Sequence, residues 1–517
     1  MITKTTKITK TSSWPLSPAG LCAVAVGAWG VVAAVHYHRL GLTLAHYDAR
    51  AHLVVARRVF DSLTPGWQQV GAIWLPLPHL LNALPVQIDY LYRTGFSGVA
   101  ISIASMALAA WAIATLIHRA TGSALGGAAA AALLMLNPDV LYLQSTPMTE
   151  PLLFGTTFLA VALIAEWATN LPPSGADDGG RFAETGVGRS STAPGWACVA
   201  AVLSRYEAWP IVATAIVLGG VVLVRRGWGL AATARAVRGL ALWPLWAIAA
   251  FLVNSKVSVG AWFVSSGFFV ADNPALGHPW LAWTKIWEGV TDLTGLATAW
   301  VAGASLLLIV IAFSRSRDRA AVVVPLAFAA CAVLPLSAYV HGHPVRVRYS
   351  VPLVAAAAAL AGTAVGLLPR VTRAPAALLL VAVAAWHAPP FSPNAPVVVE
   401  SRRDESNGVA RGAVTAYLDA HWNGEPIMMS MGSLGHYMHD LSAHGFRVRD
   451  FLHEGNGELW KYAVRTPRPF AEWLVVDERV DRGDPLFWQG RQNPLYFSGY
   501  IRIVEGGGVA LYRRIGP

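Results

Sequence analysis

Eleven apolar stretches, each long enough or nearly long enough to cross a bilayer, run through this chain of 517 residues. A hydrocarbon core of about 30 Å asks for about 20 apolar residues in a helix. Lipid offers no partner to backbone amides and carbonyls, so such stretches become helices that satisfy themselves. They lie at 16–35, 95–117, 121–137, 150–168, 195–207, 208–224, 238–254, 293–313, 320–340, 350–368 and 374–388. The fifth and eleventh are short. Hydrophobic residues make up 55% of the chain and charged ones only 13%, against about a quarter charged in soluble domains. The expected fold class is an α-helical polytopic membrane protein of about eleven transmembrane helices, with one small domain attached.

The formal charge of +10 does not point to nucleic acid. Many of the arginines sit in short loops between apolar stretches, where they orient a membrane protein, and membrane lipid is the expected electrostatic partner. Cys22, Cys198 and Cys331 all lie within apolar stretches. Their spacing suits neither a disulfide framework nor a Cys zinc site. The start carries Lys4, Lys7 and Lys10 ahead of an apolar run from about Leu16. That run is too long for a signal peptide and reads as an uncleaved first span.

Arg119, Arg225, Arg226, Arg315, Arg317, Arg319, Arg370 and Arg373 fall on one side if the N-terminus is cytoplasmic. The polar insert 169–194 joins them and reads as a flexible linker. An odd number of spans then places the C-terminal domain, 391–517, outside a plasma (inner) membrane, beyond a membrane domain of residues 1–390. Arg39, Arg50, Arg57, Arg58, Arg93, Arg205, Arg346 and Arg348 break the charge rule and need another reason to exist.

The first outer loop, about 36–94, contains helical periodicity from Asp48 to Asp61. Leu53, Ala56 and Phe60 share one face, while Arg50, Arg57 and Arg58 share another. Such a helix suits the membrane plane. Prolines break the apolar segment Trp74–Leu81, which therefore does not span. The loop 255–292 is dense in aromatics (Trp262, Phe263, Phe268, Phe269, Trp280, Trp283, Trp287), as suits the headgroup level or a substrate groove. After 390 the pattern predicts a small α/β domain. Short strands fall at 427–430 and 473–476, a helix at 409–420, and a hairpin spans 500–512 about Glu505-Gly506-Gly507-Gly508.

Two acids stand at the outer ends of spans: Asp48 after the first and Glu150 opening the fourth, with Asp139 in the same hairpin as Glu150. An acid at a membrane surface is costly and tends to have a task. A carboxylate there serves as the base that takes a proton from an attacking hydroxyl. A phosphate leaving group needs positive charge rather than an acid. Arg346 and Arg348 supply it, at a spacing that places both on one side of an extended segment. The alternatives are helix capping for Asp48 and Glu150 and headgroup snorkelling for the arginines. Arg205-Tyr206-Glu207 is a charged break between spans, read as a turn with its own ion pair or as a donor contact. His52 and His343, with Tyr206 and Glu207, are expected near the cavity. His436, His439 and His444 with Asp440 match no strong metal pattern and read as solvated surface. No cofactor is assigned, and a divalent metal requirement stays open.

The order of these features resembles the GT-C superfamily of integral-membrane glycosyltransferases, in its protein O-mannosyltransferase and aminoarabinose-transferase branch. The resemblance covers about residues 15–390. It rests on the first outer loop with Asp48, Glu150 opening a span, Arg205-Tyr206-Glu207-Ala208-Trp209, and Arg348-Tyr349-Ser350-Val351-Pro352 opening a late span. It implies hexosyl or pentosyl transfer from a polyprenyl-phosphate-linked sugar donor, with inversion, to an acceptor protein, lipid or glycan. By position, Asp48 matches the catalytic acid of the family, Glu150 its second acid (more often Asp), and Arg348-Tyr349 its donor-side pair. The usual acidic doublet is reduced here to Asp48-Ala49. A multi-pass transporter or lipid flippase is the rival expectation. It wants ionisable groups near the bilayer midplane between broken helices, and these spans are nearly free of charge.

Overall fold

A computed structural model describes residues 17–171, 191–264, 269–270, 272–317, 319–479 and 483–516. Most of the polar insert, the three N-terminal lysines and Phe268 lie outside them. Among the described residues, eight helices are long and apolar enough to cross a bilayer. They are Pro18–Arg39, Phe96–Thr121, Glu150–Asn170, Ala208–Arg225, Leu230–Val259, Leu296–Arg315, Ala320–Val340 and Val347–Leu367. Ala124–Leu136 and Pro138–Gln144 form a bent pair, at 74° to one another. The bend has a local cause. Pro138 starts the second helix, and the Asn137 side chain accepts the Asp139 and Val140 amides at 3.1 Å. The two short stretches are the helices Thr192–Val202 and Arg370–His387. Each of the eleven apolar stretches is therefore helical.

Small residues let these helices approach closely. A Cβ on Gly126 would stand 2.6 Å from the Gly362 carbonyl, and one on Gly155 would stand 2.7 Å from that of Ser105. In lipid, where the hydrophobic effect between helices is weak, such packing drives association.

The two ends of the bundle differ in charge. At one end Arg119 pairs with Glu166. Arg226 donates to the Ala168 and Leu171 carbonyls (2.7 and 2.9 Å), and Arg225 to Ser314 (2.8 Å). Cations here complement helix C-termini. The starts of Glu150–Asn170, Ala208–Arg225 and Val347–Leu367 meet at the other end.

Past the bundle stands a five-stranded sheet: β1 (Ile427–Met429), β2 (Phe451–Leu452), β3 (Trp473–Asp477), β4 (Tyr500–Gly506) and β5 (Val509–Arg514), in the order β2-β1-β3-β5-β4. β1 pairs in parallel with β2 and β3, and β5 runs antiparallel to β3 and β4. Gly507 and Gly508 close the hairpin at φ +59° and +78°, the left-handed values that a two-residue turn demands. Strand alternation splits the core. Ile427, Met429, Trp473 and Val475 face one way, while Met428, Leu474 and Val476 join a second cluster.

The first face does not stand alone. Its cluster includes Leu53, Val54, Val55, Ala56, Val86 and Tyr92 of the first outer loop. The Tyr47–Arg57 helix is thus buried in protein rather than laid on lipid, although Phe60 is exposed. Burying each Leu or Val stabilises the seam by about 1.5–3 kcal/mol. The arginine face is also explained. Arg50 Nη1 donates to both Asp440 carboxylate oxygens (2.7 Å each), and Arg57 meets Asp61 (2.9 Å) and Asp89 (2.6 Å). The chain beyond 390 does not leave the membrane domain at once, since Ala395, Val397 and Val398 belong to the bundle core.

Candidate active site

The first outer helix opens on His46, whose Nδ1 accepts the Asp48 amide at 3.1 Å. His46, and not Asp48, is the cap. The Asp48 carboxylate is left for another partner, and Arg348 takes it, Nη1 to Oδ2 at 2.5 Å. These residues are 300 positions apart in sequence. Arg348 Nε also stands 3.3 Å from Glu150 Oε1. Glu150 in turn meets Arg205 Nη1 at 3.1 Å, and Arg205 holds Glu207 at 2.7 Å. The result is one alternating chain of charge, Asp48–Arg348–Glu150–Arg205–Glu207, built at the mouths of separate spans. Glu150 is fully buried at the first position of its helix, and its Oε2 has no hydrogen-bond partner among the described residues.

Arg346 and Arg348 do not project together. Arg346 is extended, whereas a 3-10 turn starts at Val347. Arg346 therefore turns to Tyr47 Oη (3.0 Å) and Glu400 (3.5 Å). The two guanidinia still flank adjacent residues, Tyr47 and Asp48, at one helix start.

Burial alone would raise the Asp48 carboxyl. Arg348, through its charge and its hydrogen bond, outweighs it and holds the group well below the usual carboxylate range. Burial and then Arg348 push His46 down to about 4. Burial takes His52 down to about 3. For Arg205, burial works against the charge, but Glu150 and Glu207 outweigh it and raise the group. At neutral pH Asp48 is therefore ionised against Arg348, beside two neutral imidazoles.

The other expected site residues surround this chain at varying distance. His52, one turn after Asp48, bonds through Nδ1 to His79 Nε2 (3.0 Å) and lies against Trp74, with ring centroids 4.1 Å apart. Tyr206 donates to the Ile73 carbonyl (3.0 Å), tying the proline-rich loop to the spans. Tyr349 lies against the Tyr339 ring at 6.3 Å. His343 is anchored by its backbone, whose carbonyl accepts from Asn273 at 2.6 Å. Asp139 is spent on the Val397 amide (2.7 Å). The histidine set near the C-terminus is not solvated surface throughout. His436 and His439 are buried, against Asp404 (3.3 Å) and the Tyr92 carbonyl (3.0 Å), and only His444 is exposed, beside Asp419. Among the described residues no three His, Cys, Asp or Glu side chains stand together as a metal site.

His46, Tyr47, Thr149, His79 and Glu400 join the site without being among the expected site residues. Thr149 accepts from Arg205 at 2.8 Å. Adjacency to Asp48 and Glu150 marks His46, Tyr47 and Thr149, but nothing local marks Glu400.

No family model matches the sequence, and none of the curated proteins does. Solved structures do match. ArnT from Cupriavidus metallidurans in the apo state superposes with a TM-score of 0.54 at 14% identity, over 97% of this chain and 100% of that one. The apo Archaeoglobus fulgidus oligosaccharyltransferase gives 0.52 at 12% identity, over 90% and 70%. The same protein with Zn and sulfate gives 0.50 at 12%, over 88% and 68%. The fold is the GT-C fold. At these identities the likeness carries the architecture, bundle plus C-terminal sheet, and the chemistry rests on the residues above.

Proposed function

We propose that this chain is an inverting glycosyltransferase that moves a sugar from a polyprenyl-phosphate donor to an acceptor hydroxyl on the outer face of the plasma membrane. One observation carries the reading. A guanidinium from a late span bridges two buried carboxylates from the first loop and the fourth apolar stretch, at the bundle end opposite the basic loops. By the positive-inside rule that end is extracytoplasmic.

The acceptor oxygen attacks the anomeric carbon, and the bond from that carbon to the phosphate oxygen breaks. The bonding pair leaves with the phosphate, whose added charge Arg348 and Arg346 receive. The hydroxyl proton passes to Asp48. Asp48 paired with Arg348 is a poor base. A donor phosphate competes for that guanidinium, and as Arg348 turns to it the Asp48 carboxylate gains proton affinity. Donor binding and base activation are coupled through one side chain. Glu150 and Arg205 hold Arg348 in place. Opposite-face attack gives inversion. The structural likeness to the Archaeoglobus fulgidus oligosaccharyltransferase accords with sugar transfer here.

Asp48→Asn in purified protein with a polyprenyl-phosphate sugar should lower turnover by about 10²–10⁴-fold. Full retained activity removes Asp48 from the reaction. A flippase would instead move lipid across sealed vesicles without consuming the sugar phosphate.

A further inference from the structure

The outer arginines provide the starting point. Arg50, Arg57, Arg205, Arg346 and Arg348 each reach a carboxylate, and Arg39 and Arg93 are exposed. Arg58 is the exception. It is half-buried, and among the described residues no carboxylate lies within ion-pair distance of it. Its Nε donates to the Gln69 carbonyl (2.7 Å), and its Nη1 faces the Met431 thioether, a weak acceptor for so strong a donor. A Cβ on Gly71 would stand 2.5 Å from its Nη2, so the glycine leaves room for the guanidinium.

A second orphan stands beside it. His453 is fully buried, and its Nδ1 accepts the Gly455 amide at 3.0 Å. That bond fixes the neutral tautomer with the proton on Nε2, and Nε2 has no partner. Gln69 links the two groups. Its Nε2 donates to the Gly455 carbonyl (2.7 Å), while its own Oε1, also buried, is unpartnered. A lone buried donor is costly, and here one donor, His453 Nε2–H, and one acceptor, Gln69 Oε1, go unmet beside a guanidinium whose Nη1 meets only a thioether. The nearest carboxylate, Glu454, is already engaged by the Ser430 hydroxyl and the Met431 amide (2.7 Å). Exposed Gly432 and half-exposed Gly455 lie in the segments that carry the Met431 and His453 partners of the cluster.

We propose that Arg58 and His453, with Gln69 between them, form a second anion site that takes a phosphate monoester carried by the sugar acceptor. The proposal rests on the glycosyltransferase reading. Arg58 and His453 Nε2–H donate to phosphate oxygens, and Gln69 Oε1 accepts the remaining P–OH proton, which a diester or sulfate lacks. Arg58 caps the C-terminal end of the helix whose first turn holds Asp48, so ten residues, about 15 Å of helical rise, separate the two backbone positions. The site therefore selects an acceptor whose phosphate lies a few sugar units or an equivalent span from the reacting hydroxyl. The large exposed apolar residues of the same loop (Phe60, Trp67, Ile73, Leu84) put the site at headgroup level, so a bilayer phospholipid is the competing source of phosphate.

The test follows thermal unfolding of the full-length protein in detergent, titrated with methyl phosphate. A saturable rise in Tm is expected. Arg58→Gln should weaken the midpoint at least tenfold, and Arg58→Lys should recover part of it. The Arg58-dependent rise should persist in Asp48→Asn, whatever that variant does to turnover, so a failed Asp48 test and a failed anion site give different results. Dimethyl phosphate should be weaker than methyl phosphate. No response in wild type, an unchanged response in Arg58→Gln, or an equal response to the diester each overturns the assignment. An Arg58-dependent shift with phosphatidylglycerol nanodiscs but none with methyl phosphate overturns it in favour of the bilayer.

Discussion

Arg348→Gln should destabilise the protein more than Asp48→Asn does, and the double variant should fall between them. The order follows from who is left unpaired. Arg348 serves both Asp48 (2.5 Å) and Glu150 (3.3 Å). Removing it strands Asp48 among neutral imidazoles and leaves Glu150 with Arg205 alone. Breaking a buried pair in this way costs about 3–5 kcal/mol. Asp48→Asn leaves Arg348 still bound to Glu150, so the cost is about 1–2 kcal/mol, nearer that of an ordinary buried hydrogen-bond loss. Adding Asp48→Asn to Arg348→Gln removes the stranded charge and should restore roughly 1–3 kcal/mol. The assay is the temperature of half-loss of monodisperse protein on detergent size exclusion, run as a double-mutant cycle. A large chain such as this one unfolds irreversibly, so the ranking is the readout rather than an equilibrium free energy. If the double variant is as unstable as the two losses summed, the pair is not electrostatically coupled and the reasoning is wrong.

Acidification should cost stability through His46. Its folded value is about 4 against an ordinary 6.5, so between these values the unfolded chain binds the extra proton. Stability present above pH 6.5 is lost as pH falls towards 4, by about 3 kcal/mol for this group. His46→Asn keeps a cap acceptor and should flatten the apparent Tm over that window. A curve as steep as wild type contradicts this. Gly126→Ala drives a Cβ to 2.6 Å from the Gly362 carbonyl and should cost about 1–3 kcal/mol through forced separation of two helices. Gly303→Ala, with nothing within 4 Å, should be neutral or slightly stabilising in the same melt.

Much of this molecule could be read without coordinates, because its strongest signals are local. A run of some 20 apolar residues becomes a helix whatever surrounds it, since backbone groups in lipid have no other partner. The Gly507-Gly508 turn and the alternating strands beside it follow from φ limits and the pleat in the same way. Asp48, Glu150, Arg205 and Arg348 stand out in the sequence as charged groups at span ends, each a costly placement. That Arg348 lies between Asp48 and Glu150, that Arg346 turns away to Glu400, that His46 rather than Asp48 caps the helix, and that the first-loop helix packs into the core of the C-terminal sheet are set only by the tertiary structure. Those facts come from packing between segments hundreds of residues apart, and no local pattern encodes which arginine meets which carboxylate. Apolar periodicity decides where each helix is, while steric fit between distant helices decides which charges end up in one pocket.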